Sequence, residues 1–258
     1  MNTKSEVLNS VKHLLELKYS GRTPANYLYH IEMFLNHAKN VPIRVTNEDI
    51  LSYNISIRNK SNSYRNVAIN AIKAYFKLYL RKSVKDFSSI RPPKEHKKPI
   101  VYSAIILDKK LDSIPNTKHR LILRLGLSCW LRQSEVINLK IEDIDSERMI
   151  MNIHMSKGSK NREVAFNKKT LDLLRLYYQE YRPKVYLFNG QKSIKYNSIN
   201  AVCQNHLGFR FHTLRASGST YALHSGTDIK TVSEMLGHNN IETTKFYIPT
   251  LLDNVVQV

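Results

Sequence analysis

Cysteine is nearly absent, with only Cys129 and Cys203 in 258 residues. Both fall in apolar-leaning stretches and no zinc-ligand spacing surrounds them. That excludes a disulfide framework and a structural zinc site, and predicts two buried thiols in a reducing compartment. Long apolar runs are missing as well: none approaches the ~18 residues of a membrane-spanning helix. The opening residues, MNTKSEVLNS, have no apolar signal core. A soluble, cytoplasmic protein is expected. Internal repeats and low-complexity tracts are also lacking. Acidic residues are few, 21 against 40 Lys plus Arg, for a formal charge of +19. Such an excess predicts a polyanionic partner. The cations are spread along the whole chain and interleaved with tyrosines, with no polybasic block beside a lipidation signal. Nucleic acid is therefore expected rather than membrane.

Apolar residues make up 42% of the chain, enough for a core, and the length fits one large domain or two modest ones. Residues 5–18 place Leu8, Val11, Leu14 and Leu15 at helical spacing. Thr23-Pro24 predicts an N-cap with Pro at the first helical position, opening a helix with Tyr27, Ile31, Phe34 and Leu35 on one side. Thr46 with Asp49 predicts a capping box for a third helix through Arg58. A fourth is expected over 61–80. Together these predict a small helical bundle of about eighty residues. Residues 81–99 are basic and contain Pro92, Pro93 and Pro99. The expected division is a helical domain over 1–85, a linker over 86–99 and a second domain over 100–258.

In that second domain helices are expected at about 103–113, 117–129, 133–139, 168–181, 196–206, 212–224, 228–236 and 240–246. Residues 148–155 and 164–166 predict strands of a hairpin turning at Gly158, and VYLF at 185–188 is a short apolar run. The fold class expected is mainly α: an N-terminal helical bundle plus a C-terminal mixed α/β domain with a small antiparallel sheet.

Five features in this domain carry chemistry. Arg132, just ahead of Ser134 and Glu135, can fork onto a phosphate with two hydrogen bonds, or serve as a local partner of Glu135. Lys157 sits in the expected hairpin turn with Lys160 and Arg162 close by, where it can reach into a groove or an active site, though an ordinary solvated turn lysine is the commoner case. His212 and Arg215, three apart, share one helical face, and a helix start at Thr213 would aim free backbone N–H groups at an anion. In Leu236-Gly237-His238 the glycine is expected to end a helix, leaving His238 in a loop. Tyr247, nine residues further on, is set apart from the other fourteen tyrosines only by that position.

The order Arg, hairpin Lys, His-x-x-Arg, Leu-Gly-His, Tyr resembles the tyrosine recombinase (phage integrase) family. LRQSEVINLKIEDID resembles its first-arginine motif, MSKGSKNREV its lysine hairpin, HTLRASGSTYAL its second box and LGHNNIETTKFY its closing box. The segment from Ser20 to Tyr29 with VTNEDILSY at 45–53 resembles its core-binding domain, so the likeness covers nearly the whole chain. The first helix begins almost at the start, which resembles compact Xer-type members. Three positions depart from the pattern: Trp130 stands where Gly is usual, Ala216 where His or a similar residue is usual, and Ser219 where Ala is common.

The resemblance implies a core-binding domain over 1–85, a catalytic domain over 100–258, and roles for six residues. Tyr247 attacks the scissile phosphate, and His212 accepts its proton. Arg132 and Arg215 bind the non-bridging oxygens, His238 adds a hydrogen bond and Lys157 protonates the departing 5′-oxygen. No metal, ATP or cofactor is implied. The partners implied are double-stranded DNA and further copies of the chain, as dimers or a synaptic tetramer. The apolar tail, IPTLLDNVVQV, would dock on a neighbouring protomer. DNA binding would make the protein nucleoid-associated. Two other readings share the scaffold: a type IB topoisomerase, and a non-catalytic DNA-binding protein. Affinity for duplex DNA is expected to fall steeply as salt rises. A titration showing flat salt dependence would refute extensive phosphate contact.

Overall fold

The computed structural model describes residues 3–38, 40–83, 91–93, 99–154, 161–188, 195–237, 242–245 and 255–256. The chain divides into two compact units, Met1–Lys97 and Lys98–Val258.

The first unit holds α1 (Lys4–Lys18), α2 (Thr23–His37), α3 (Asn47–Ser56) and α4 (Asn62–Leu78). Their apolar stripes meet in one core that includes Val11, Leu15, Ile31, Phe34, Ile69 and Ile72. The expected box at Thr46 forms: its backbone N–H donates to Asp49 Oδ2 at 2.8 Å. The short Asp suffices because the Asn40 side chain also donates to it, at 2.9 Å. Thr23, by contrast, is the first residue of α2 and not its cap. Gly21, with φ of 68°, turns the chain early and leaves at the cap Arg22, whose side chain does not cap the helix. Part of the expected linker lies on α4: Arg91 donates to the Asn70 side chain at 2.8 Å, and Asn66 to the Pro92 carbonyl at 3.3 Å. Near the end of α4, Lys73, Lys77, Arg81, Lys82 and Ser83 line a cavity of about 420 Å³.

The second unit runs β1 (Val101–Tyr102), α5 (Ala104–Asp112), α6 (Thr117–Ser128), α7 (Gln133–Asn138), β2 (Ile144–Asp145), β3 (Ile150–Ile153) and β4 (Arg162–Ala165). There follow α8 (Lys168–Tyr181), α9 (Tyr196–Leu207), α10 (Phe211–His224), α11 (Ile229–Leu236), α12 (Glu242–Lys245) and β5 (Val255–Val256). The antiparallel pair expected within 148–166 is present as β3–β4, with Ile153 opposite Arg162, and gains β2 as a third antiparallel strand; the turn expected at Gly158 lies outside the described residues. The VYLF run forms no strand beyond a single bridge from Tyr186 to Lys140; Leu187 and Phe188 are buried in the core instead. The tail, expected to reach a neighbouring protomer, places Val255 and Val256 on its own unit, paired in parallel with Val101 and Tyr102. Among the described residues no helix is long and apolar enough to cross a membrane.

The core is built around α6, where Leu121, Ile122, Leu123 and Leu125 are all fully buried. Of the cations on this helix, Arg124 is buried too. It bonds Asp108 and also Asp112, the latter at 2.7 Å, and both carboxylates also accept from Lys169. Packed across α6 is α10, buried from Leu214 to Thr220. It starts at Phe211, not Thr213, because the buried Phe211 ring anchors it and the Phe211 N–H donates to Asn200 Oδ1 at 3.1 Å. Gly218 lets the two helices touch: a β-carbon there would overlap the Leu127 carbonyl oxygen and the Trp130 indole. Gly218→Ala is therefore expected to cost about 1–3 kcal/mol by overpacking. Urea denaturation checks this, and unchanged stability would contradict so close an approach.

Candidate active site

The site begins where α6 ends. Trp130 has φ of 52°, the left-handed conformation glycine adopts most readily. That conformation costs a Trp roughly 1–2 kcal/mol. Burial of the indole with Val101, Ala216, Val232 and Leu236 offsets the cost. The turn points the Trp130 carbonyl at α10, where Arg215 Nη1 donates to it at 2.5 Å. It also returns the Leu131 N–H to the Leu125 carbonyl at 3.2 Å and leaves Arg132 as the N-cap of α7.

Glu135, one turn into α7, gathers the cations. Its side chain is only 4% exposed. It accepts from the Arg132 backbone N–H at 2.7 Å and from Arg132 Nη1 at 2.8 Å. Arg162, at the start of β4, forks onto both carboxylate oxygens at 2.9 Å. Arg215 Nη1 lies 3.8 Å away. Burial alone would raise the Glu135 carboxyl, but Arg162 first, and Arg132 with it, hold it down at about 2.

The same three guanidiniums hold the end of α11. The last carbonyls of a helix have no partner within it and carry the negative end of its dipole. Here three successive ones are taken: Met235 O by Arg162 Nε at 2.7 Å, Leu236 O by Arg215 Nη2 at 2.6 Å, and Gly237 O by Arg132 Nη2 at 2.9 Å. Gly237 ends the helix with φ of 63°, as the sequence predicts.

His212 lies in the first turn of α10. Its ring lines a cleft of about 360 Å³ together with Arg132, Ser134, Asn200 and Arg210. The side chain is reached by solvent, yet the cleft wall removes enough water to lower its pKa below the ordinary 6.5. The cationic Arg215 and Arg132 lower it further. The imidazole is thus neutral at pH 7, with a nitrogen able to take a proton.

Of the six candidate residues, Arg132 and Arg215 meet through Glu135, and His212 shares the cleft with Arg132. Lys157, His238 and Tyr247 lie outside the described residues. Two of the departures from the family pattern are packing positions: Ala216 is buried beside Trp130, and the buried Ser219 hydroxyl donates to the Arg215 carbonyl at 2.8 Å. Arg162 carries more of the site than the sequence suggests. There it appears only as a cation near Lys157; the available signal is its place on a strand whose neighbour in register, Ile153, is a core residue.

The phage integrase family matches residues 103–251. A putative integrase/recombinase of Sinorhizobium fredii, y4qK, is 30% identical over 244 residues, covering 89% of this chain and 79% of its own. Tyrosine recombinase XerA of Pyrococcus furiosus is 30% identical over 261 residues, 95% of this chain and 89% of its own. The fold is shared with the crystal structure of a lambda integrase dimer bound to a COC′ core site, at a TM-score of 0.74 and 14% identity over 95% of each chain.

The Glu135 carboxyl falls from an ordinary 4.5 to about 2 on folding. Its contribution is complete above pH 4.5 and is lost as pH falls towards 2, on the order of 3 kcal/mol. Glu135→Gln is expected to destabilise the protein at pH 7 and to flatten the decline of stability between about pH 5 and 3. Denaturant melts of both proteins at the two pH values check this, and parallel declines would contradict it.

Proposed function

The chain belongs to the phage integrase family, and on that premise we propose that it cuts and rejoins duplex DNA through a 3′-phosphotyrosyl link. The observation that carries this reading is the excess of positive charge. Arg132, Arg162 and Arg215 converge on a single carboxylate. The cluster is left cationic beside an open cleft that holds a neutral histidine. A phosphodiester under attack gains negative charge on its non-bridging oxygens, and fixed guanidiniums stabilise that charge without reorganising.

In this mechanism Tyr247 is the nucleophile. Its hydroxyl has an ordinary pKa of about 10 and needs a proton acceptor. His212 fills that role, since its neighbours keep it neutral. Arg132 and Arg215 bind the phosphate oxygens, His238 adds a further donor, and Lys157 protonates the 5′-oxygen as it leaves. The bond energy stays in the tyrosyl ester, so a 5′-hydroxyl from a second strand completes exchange without ATP. No metal is required, because the arginines supply the charge and Lys157 the proton. Exchange between two duplexes calls for four protomers in a synaptic tetramer. The first unit would grip the DNA backbone, and the cavity framed by Lys73, Lys77, Arg81 and Lys82 is the electrostatic feature that supports this. The lambda integrase whose fold the chain shares is bound to a core site in its crystal structure.

A nicked suicide substrate that traps the covalent complex tests the proposal. Tyr247→Phe is expected to bind the substrate as the unaltered protein does and to form no adduct; an adduct surviving that change would place the nucleophile elsewhere. Cleavage is expected to persist in excess EDTA, and its loss on chelation would overturn the metal-free mechanism.

A further inference from the structure

Arg162 belongs to neither arginine motif, yet all three of its guanidinium nitrogens are engaged in the site. Its side chain is 9% exposed. Its Nε–H donates to the Met235 carbonyl and its two Nη groups to the two oxygens of Glu135. The proposed chemistry gives it no contact with the phosphate. What it does instead is join three elements. Its backbone pairs with Ile153 on β3, its fork fixes a carboxylate on α7, and its Nε fixes the last turn of α11. Glu135 in turn holds both the backbone N–H and the guanidinium of Arg132. A β-carbon at Gly237 would lie 3.1–3.2 Å from the Arg162 side chain, so the end of α11 sits directly over it.

We infer that Arg162 is a positioning residue for strand cleavage, holding Glu135 and the end of α11 in one frame so that Arg132 faces the cleft at a fixed angle. The inference rests on the reading of Arg132 as a ligand of the scissile phosphate. The need is for a guanidinium and not simply a cation. Three N–H directions are used at once in one plane, and a lysine ammonium offers a point charge with no fork. Without the fork, the cations left beside Glu135 among the described residues are Arg132 and Arg215, with Lys140, Asp143 and His154 around the adjoining cavity. Arg132 still holds both carboxylate oxygens, through its backbone N–H and Nη1, but it belongs to the same turn as Glu135, so the tie between that turn and β4 is lost and the two side chains are no longer fixed from outside.

The test compares Arg162→Met and Arg162→Lys with the unaltered protein in single-turnover cleavage of a suicide substrate. The substrate is made twice, once with the normal scissile phosphodiester and once with a methylphosphonate there. The methylphosphonate replaces one charged non-bridging oxygen by a neutral methyl group and so lessens the demand on Arg132. On the phosphodiester, Arg162→Met is expected to cleave on the order of 100-fold more slowly, the scale of a misplaced catalytic group. Arg162→Lys should fall between, and DNA affinity should change less than about twofold because Arg162 contacts no DNA in this scheme. On the methylphosphonate the Arg162→Met penalty should shrink to within about tenfold. An unchanged rate, or an equal penalty on both substrates, would overturn the inference. If thermal melting shows that Arg162→Met does not fold, the same comparison is made with Arg162→Lys. Failure of the unaltered protein to form any adduct would instead overturn the reading of the reaction, which separates the two outcomes.

Discussion

Three guanidiniums gathered within 3.8 Å of one carboxylate, two of them hydrogen-bonded to it, would repel one another strongly in a water-poor site. They are held because each has a second anchor of negative potential, a carbonyl at the end of α11. Glu135 supplies the formal charge, and Met235, Leu236 and Gly237 supply the dipole. Neither anchor would serve alone. A buried carboxylate with unpaired oxygens is costly, and so is a buried helix end with unpaired carbonyls. Each supplies what the other needs, and the arginines are the material shared between them.

The remaining architecture keeps those two anchors at a fixed separation. Glu135 is set by the turn at Trp130, whose left-handed backbone would be unstable without the cluster that buries the indole. That cluster includes Val232 and Leu236 of α11, so the packing that stabilises the turn also locates the helix end. Gly218 sets the approach of α6 to α10 and therefore the depth of Arg215. On the far side of α10, Ser217 accepts from the Tyr102 N–H at 2.9 Å, tying in β1 and, through it, the tail strand β5. The charge cluster is thus supported by packing on several sides, which suits a site whose groups must not relax as charge develops.

Much of this was legible in the sequence, and what was not has physical reasons. Long helices with clear periodicity, such as α8, and local signals such as Thr46 with Asp49 or Gly237 after Leu236, depend on near neighbours and were found where expected. Two helix starts moved, for different reasons: contact with the more distant Asn200 anchors Phe211, while the left-handed backbone at nearby Gly21 displaced the start of α2. Two-residue strands such as β1 and β5 have no period to read, and their pairing spans most of the unit. Arg132 and Arg215 were recognisable only through the order of motifs around them. The weight carried by Arg162 was not recognisable, because its partner Glu135 lies 27 residues away and a charged residue on a short strand reads as surface.

The ion pair between Glu135 and Arg162 has a direction. Exchanging the two residues would keep the net charge and the salt bridge, but it would turn a carboxylate towards the Met235 carbonyl, where Arg162 now donates. Two acceptors would face each other with no proton between them. Arg132 would also lose the acceptor for its backbone N–H and find a second guanidinium in its place. The backbone of α11 has fixed the polarity of the pair, so this salt bridge, unlike one on the surface, cannot be inverted by swapping its ends.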